Sequence, residues 1–395
     1  MGLADRLGGG HGIQVGRAAL CVALAVLVWR ISRPAGALVG RIAATAAVLL
    51  VGTTMWTERP LLVGLVLMAV LVWMAEADDG PAWPAVPIMW VWVNAHGSFP
   101  LGLVYLGVRL AGRRLDGGAT QHLRSITLAA AAGTLAGAVN PLGLRLLVYP
   151  LELLSRHDLL ERVSEWRSPD FSDPPNLVFL AALLVGLWLH RRSHRFEDGL
   201  VAVVFGAAGL LAVRNVPLAL LALTPVLARS LAGVGTVRGD QRGPVTAAAA
   251  AALVMTALVL AAAALGRPAY DLRHYPVSHL DWMEERGMLE AHVATQDFVG
   301  NLIVARRGEG AGVFFDDRYD MYPRQVVVDA IALLDGRDGW RDRLDRYGID
   351  VVLWERSEPL AGLVAADPGW RVVRGDEEWV VAVRAGGPFA PAAPA

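Results

Sequence analysis

Apolar residues fill the first two-thirds of the chain in ten runs, at about 18–31, 36–55, 60–75, 84–95, 98–112, 125–143, 176–190, 199–213, 216–234 and 245–265. Short polar stretches separate them, a pattern that predicts helices crossing a membrane. Several runs fall short of the roughly 20 residues that span a bilayer. The pair at 84–112 reads either as two short spans meeting at Asn94-Ala95-His96-Gly97 or as a broken helix pair. Irregular backbone at that depth is tolerated where it is buried in protein or lines a wet cavity. After residue 268 charge rises, and short β-rich runs alternate with helical ones. Residues 312–316, 350–354, 370–373 and 378–383 read as strands, residues 324–334 and 338–347 have helical spacing, and Gly348 suits a helix C-terminus.

The predicted architecture is an α-helical polytopic membrane bundle of about 9–10 spans with a C-terminal extracytoplasmic α/β domain. Its parts are an N-terminal segment at 1–16, a membrane domain at 17–266 with an outer loop at 140–175, the α/β domain at 268–385, and a tail at 386–395 expected to be disordered. Arginine placement sets the orientation. Arg30 and Arg33, then Arg109, Arg113, Arg114 and Arg124, then Arg191, Arg192 and Arg195, then Arg238 and Arg242 mark alternate loops, which are assigned to the cytoplasm. Glu76-Ala-Asp-Asp79 is an exception, an inner loop without arginine.

With this orientation four polar clusters fall on the outer side: Thr57-Glu58-Arg59, Asn94 with His96, the stretch from Asn140 to Phe171, and Arg214-Asn215. Charges near a span end are costly unless they pair, line a cavity or snorkel to the interface. Snorkelling is the plain reading of any one arginine; four clusters on one face point to a shared outer cavity. The 140–171 stretch is the longest polar interruption, mixing Asn140, Arg145, Glu152, Glu165, Trp166, Arg167 and Asp170 with apolar residues at short-helix spacing. Arg59, Arg145 and Arg214 are the candidates to bind a phosphate or pyrophosphate group. Glu165 and Glu58 are the candidate bases for an acceptor hydroxyl. Asn94, His96, Asn140, Asn215 and Trp166 would shape the cavity. His96 also reads as a hydrogen-bonded structural residue, and no metal is predicted there. Trp90, Trp92 and Trp166 equally suit an interfacial aromatic belt.

Composition narrows the chemistry. The formal net charge of −1 argues against nucleic acid. All 36 basic residues are arginine, which excludes lysine Schiff bases and a P-loop lysine. Cys21 is the single cysteine, so an intrachain disulfide and a cysteine metal cluster are excluded. In the α/β domain the densest polar stretch is Phe314–Pro323, where Asp316, Asp317 and Asp320 are candidates to bind a divalent cation or sugar hydroxyls, or to cap a turn and pair with Arg318. No cofactor is indicated. Nucleotide fingerprints, G-x-S-x-G and H-E-x-x-H do not occur.

Several short motifs recur in order: Arg59-Pro60, Trp92-Val-Asn-Ala-His-Gly97 with Leu101-Gly-Leu103, Asn140-Pro-Leu-Gly143 with Tyr149-Pro, Glu165-Trp-Arg-Ser-Pro-Asp-Phe171, Arg214-Asn-Val-Pro217 and Asp316-Asp-Arg-Tyr-Asp320. Together they resemble bacterial polytopic proteins related to the C-type glycosyltransferases, the superfamily of protein mannosyltransferases and lipid A aminoarabinose transferases. The resemblance implies transfer of a sugar from a polyprenyl-phosphate donor to a cell-envelope glycan or protein acceptor on the outer face. It also implies a leading span and an outer loop with an acidic catalytic residue. Neither is visible here; Asp5 is the only acid before the first run, so either the chain starts late or this copy lacks the loop. That departure motivates the alternative of a non-catalytic scaffold or glycan-binding protein. A transporter is a third reading, permitted by the break near Asn94 but without an internal repeat.

Overall fold

The computed structural model describes residues 2–52, 56–57, 59–77, 79–156, 164–191, 195–232, scattered positions between 244 and 262, 270–319 and 321–390. The chain divides into two compact units, Met1–Tyr270 and Asp271–Ala395. It is mostly helical, with one small sheet near the C-terminus.

The first unit is a helical bundle. Its described helices are α1 (Gly2–Ile31), α2 (Leu38–Gly52), α3 (Pro60–Glu76), α4 (Ala85–Ala95), α5 (Pro100–Leu115), α6 (Gln121–Ala136), α7 (Arg145–Leu154), α8 (Pro174–His190), α9 (Phe196–Leu211) and α10 (Val216–Ser230). Proline opens α3 and α5 and stands in the first turn of α10, where its missing N–H costs nothing. Among the described residues Gly9–Ala35 is the one helix long and apolar enough to cross a membrane by itself. The segments 38–52, 60–76, 85–95 and 174–188 are shorter apolar helices. Most of the predicted run at 245–265 lies outside the described residues.

Two features organise the bundle. First, α10 is apolar on all sides and buried from Val216 to Ala228, so it is the central helix. Second, glycines set the close crossings. A Cβ on Gly112 of α5 would lie 2.3 Å from Glu197 Cα of α9, and one on Gly133 of α6 would lie 2.3 Å from the Val86 carbonyl oxygen of α4. Small residues at these points let backbones approach directly. The indole of Trp92 is fully buried against Gly64 of α3 and Gly102 of α5. The outer faces stay apolar: Leu128, Leu184, Trp188, Val203 and Leu211 are 55–70% exposed.

The second unit is an α/β layer structure. Its sheet joins β1 (Val293–Ala294), β2 (Val351–Glu355), β3 (Trp370–Gly375) and β4 (Trp379–Arg384) in the order β1-β2-β4-β3. β1 runs parallel to β2, and the other pairs are antiparallel. The helices are α11 (Val277–Glu284), α12 (Asp297–Arg307), α13 (Arg324–Leu334), α14 (Trp340–Arg346) and α15 (Pro359–Ala366). α13 matches its predicted bounds. Gly348 takes φ 59°, and the Gly348 and Ile349 amides donate to Asp345 and Leu344 carbonyls, a Schellman ending for α14. The predicted strand at 312–316 reduces to a parallel bridge of Val313 to Val293. Phe389, in the stretch expected to be disordered, packs on the sheet face around Val351 and Val381, because an aromatic ring there is removed from water.

Candidate functional site

Three of the predicted polar clusters meet at the end of the bundle where α3 and α10 begin. A short 3-10 turn, Ser164–Trp166, carries Glu165 and Trp166, and another, Val213–Asn215, leads into α10. The Val213 amide donates to the Arg167 carbonyl at 2.9 Å, fastening the two turns. The Arg214 guanidinium lies 4.1 Å from the centre of the Trp166 ring, a stacked cation–π contact. Arg59, just ahead of α3, donates through Nη1 to Glu165 Oε1. The pair is open to solvent, at 58% and 37% exposure, so it contributes only about 0–1 kcal/mol to stability. Nearby in the loop, the Ser172 amide and hydroxyl, at 2.9 and 2.8 Å, hold the Asp170 carboxyl below the usual carboxylate range. Glu58 lies outside the described residues.

The asparagines form a neighbouring constellation. Asn94 at the end of α4 donates to the Gly137 carbonyl at 3.3 Å, and Asn140 donates to the same oxygen at 2.6 Å. Asn140 Oδ1 accepts the Leu142 and Gly143 amides at 2.7 and 3.1 Å, with Gly143 in the left-handed region at φ 58°; the Asn-Pro-Leu-Gly motif is thus a side-chain-closed turn. His96 Nδ1 accepts the Ser98 amide at 3.1 Å, and Ser98 Oγ accepts the buried Trp92 indole N–H at 3.1 Å. Asn215 donates to the Ala208 carbonyl at 3.0 Å, tying α10 to α9. Arg145 sits apart from the Arg59–Arg214 grouping in its described contacts: it faces Glu152 of its own helix at 3.7 Å and is 72% exposed.

The opposite end of the bundle holds a network that sequence reasoning missed. Arg109 Nε donates to Glu197 Oε1 at 2.6 Å and Arg109 Nη1 pairs with Glu76 Oε1. Arg113 reaches the same Glu197 oxygen at 3.1 Å, and Arg195 reaches its other oxygen at 2.9 Å. Arg229 pairs with Glu76 at 2.6 Å and with both oxygens of Asp198 at 3.0 and 3.1 Å. The Asp116 carboxylate accepts the Phe196 and Glu197 amides at 2.8 and 3.0 Å, closing the start of α9. Arg109 and Glu197 are each 1% exposed. The arginine-free loop at Glu76 therefore has a physical reason: its acid neutralises Arg109 and Arg229 within the protein. Glu197-Asp198, one residue past the basic stretch that ends at Arg195, was the available signal.

In the second unit Asp316 is fully buried and accepts Arg318 Nε at 3.0 and 2.9 Å and its amide at 3.0 Å. It closes a turn on Arg318, the pairing reading of this stretch. Asp317 is exposed, and Asp320 lies outside the described residues. Among the described residues no group of three or more His, Cys, Asp or Glu side chains could hold a metal ion.

No family model matches the chain, and no curated protein matches it. A solved structure does. The cryo-EM structure of the arabinofuranosyltransferase AftD from Mycobacteria aligns with a TM-score of 0.53 at 15% identity, covering 97% of this chain and 34% of that one. The chain spans about a third of that protein's length, and at this identity the likeness is one of fold. With 97% of this chain aligned, it runs through both units.

Proposed function

We propose that the protein is a multi-pass membrane glycosyltransferase of the cell envelope, working at the end of its bundle where Arg59, Glu165, Trp166 and Arg214 meet. That convergence, from segments more than 40 residues apart in sequence, is the observation that carries the reading. The exposed Leu128, Leu184, Trp188, Val203 and Leu211 on α6, α8 and α9 support a lipid surround. The AftD-like fold supports a sugar donor and a glycan acceptor in general terms; a polyprenyl-phosphate donor, an envelope acceptor and an extracytoplasmic second unit follow from the sequence motifs and the arginine pattern.

In this reading the donor phosphate is bound by Arg59 and Arg214, with Arg214 held in plane by Trp166. Phosphate competes with Glu165 for Arg59, which returns a Glu165 lone pair to the site. The acceptor hydroxyl oxygen then attacks the anomeric carbon as its proton passes to Glu165. The bond to the phosphate oxygen breaks, and the lipid phosphate leaves with that electron pair beside the two arginines. Asn94, His96, Asn140 and Asn215 position the loops around this end, and Arg145 guides the lipid phosphate at the surface.

The test is donor binding and sugar transfer by the full chain in nanodiscs, with a polyprenyl-phosphoryl pentose or hexose. Each charged hydrogen bond is worth about 1.5–3 kcal/mol, so Arg59→Ala and Arg214→Ala each weaken donor binding about 10- to 100-fold. Glu165→Gln keeps binding and lowers turnover by about 100-fold or more. Donor binding unchanged in both arginine variants would overturn the assignment and favour the scaffold or glycan-binding reading.

A further inference from the structure

The second unit contains a small cavity at the edge of its sheet, walled mostly by apolar side chains with Thr295, Asp297 and the Trp354 indole among them. Val313, β1 and β2 run parallel, side by side, so the chain leaves all three at the same edge, the place where ligands bind in parallel sheets. Thr295-Gln296-Asp297 leaves β1 there and opens α12; Phe314-Phe315 follows Val313; Trp354 stands on β2. Thr295, Asp297, Phe314, Phe315 and Trp354 line a cavity of about 10 Å³ that α13 closes from the other side.

Two of its wall residues carry polar atoms that the protein leaves unsatisfied. Thr295 is 4% exposed and Trp354 2%, yet Thr295 Oγ1 and Trp354 Nε1 have no hydrogen-bond partner among the described residues. A buried donor and a buried acceptor left unmade are costly, and each calls for a partner, a water or a ligand group. Asp297 accepts the Phe298 amide at 2.8 Å and the Tyr319 hydroxyl at 2.9 Å, retaining lone pairs at the cavity wall.

The donor set selects the guest. The Asp297 carboxylate repels an anion, and Arg318 is committed to Asp316. The indole only donates, the carboxylate only accepts, and the threonine hydroxyl does both. A neutral hydroxyl, itself donor and acceptor, satisfies them. About 10 Å³ admits one water-sized group, and Phe314 and Phe315 suit a methylene next to it. We propose that this cavity receives the hydroxymethyl arm of a neutral sugar, with the ring lying at the mouth.

The test is saturation-transfer NMR on the full chain in phosphocholine nanodiscs, with methyl α-mannopyranoside, which carries a hydroxymethyl arm, and methyl β-xylopyranoside, which lacks one. Transfer is expected to the C6 protons of the mannoside and not to the xyloside. Thr295→Val and Trp354→Phe should weaken the mannoside about tenfold, the worth of one buried hydrogen bond, while Thr295→Ser retains it. Transfer to neither glycoside, equal transfer to both, or a mannoside signal unchanged in both weakening variants overturns the proposal and leaves the cavity to a buried water. Loss of the mannoside signal in Thr295→Val and Trp354→Phe separates binding here from any glycoside held at the transferase end, so failure of this proposal and failure of the transferase reading are distinguishable.

Discussion

Arg214 and Arg229 flank the same buried helix, about 22 Å apart by the rise of an α-helix over α10's 15 residues, and their surroundings differ in kind. Arg229 belongs to a closed, largely buried network in which acids and arginines from α3, α5, α9 and α10 neutralise one another around the fully buried Arg109 and Glu197. Arg214 stacks on an aromatic ring beside an open Arg59–Glu165 pair. Charge that is buried and answered within the protein holds helices together. Charge that is half open, ordered by stacking and gathered from distant segments is available to a ligand. The two ends thus use the same residue type for different work, and composition does not distinguish them.

The largest effect should come from opening the closed end. Removing one member of a buried ion pair costs about 3–5 kcal/mol, so Glu197→Ala, which leaves buried Arg109 with Glu76 alone and takes the acid from Arg113 and Arg195, should lower the thermal midpoint sharply in nanodiscs. A midpoint near wild type would mean that water enters this network freely. Next, Gly112→Ala should separate α5 from α9, since its Cβ meets Glu197 backbone at 2.3 Å; loss of about 1–3 kcal/mol is expected from such overpacking, read by the same melts. Smallest is the open end: Glu165→Ala should shift stability by no more than about 1 kcal/mol while turnover collapses.

The second unit adds a buried titratable group that lacks full pairing. His279 is 1% exposed, and burial pushes its imidazole below its ordinary value, against the Asp376 carboxylate 3.6 Å away. The unfolded chain then takes up a proton at about pH 6.5 that the folded unit resists. Stability of this unit should therefore be intact above about pH 6.5 and fall as the pH is lowered below it. His279→Gln should flatten that slope in pH-dependent melts between pH 7 and 5.5; an unchanged slope would assign it to other groups.

The sequence was most legible where local chemistry decides structure. Helix 324–334, the Gly348 ending and the strands at 351–355 and 379–384 follow from period, glycine and β-branched runs. β1 escaped because two residues carry no alternation, and 312–316 looked like a strand although only Val313 pairs. At the candidate site, arginine position on alternate loops gave the grouping of Arg59 with Arg214 around Glu165 and Trp166. It could not tell Arg145, turned toward Glu152 on its own helix, from its neighbours. The acids after the basic run marked charge there, but the pairings of Glu197 with Arg109 and of Asp198 with Arg229 join residues 88 and 31 positions apart, and no local pattern encodes which arginine each acid meets.

The most direct measurement compares Arg214→Ala with Arg229→Ala in one preparation, reading donor binding and the thermal midpoint for each. Arg214→Ala should lose donor binding about 10- to 100-fold with its midpoint kept, and Arg229→Ala should lower the midpoint by disrupting the closed network. If Arg214→Ala instead destabilised the bundle as much as Arg229→Ala and left donor binding intact, the division of the two ends into a working end and a holding end would be contradicted.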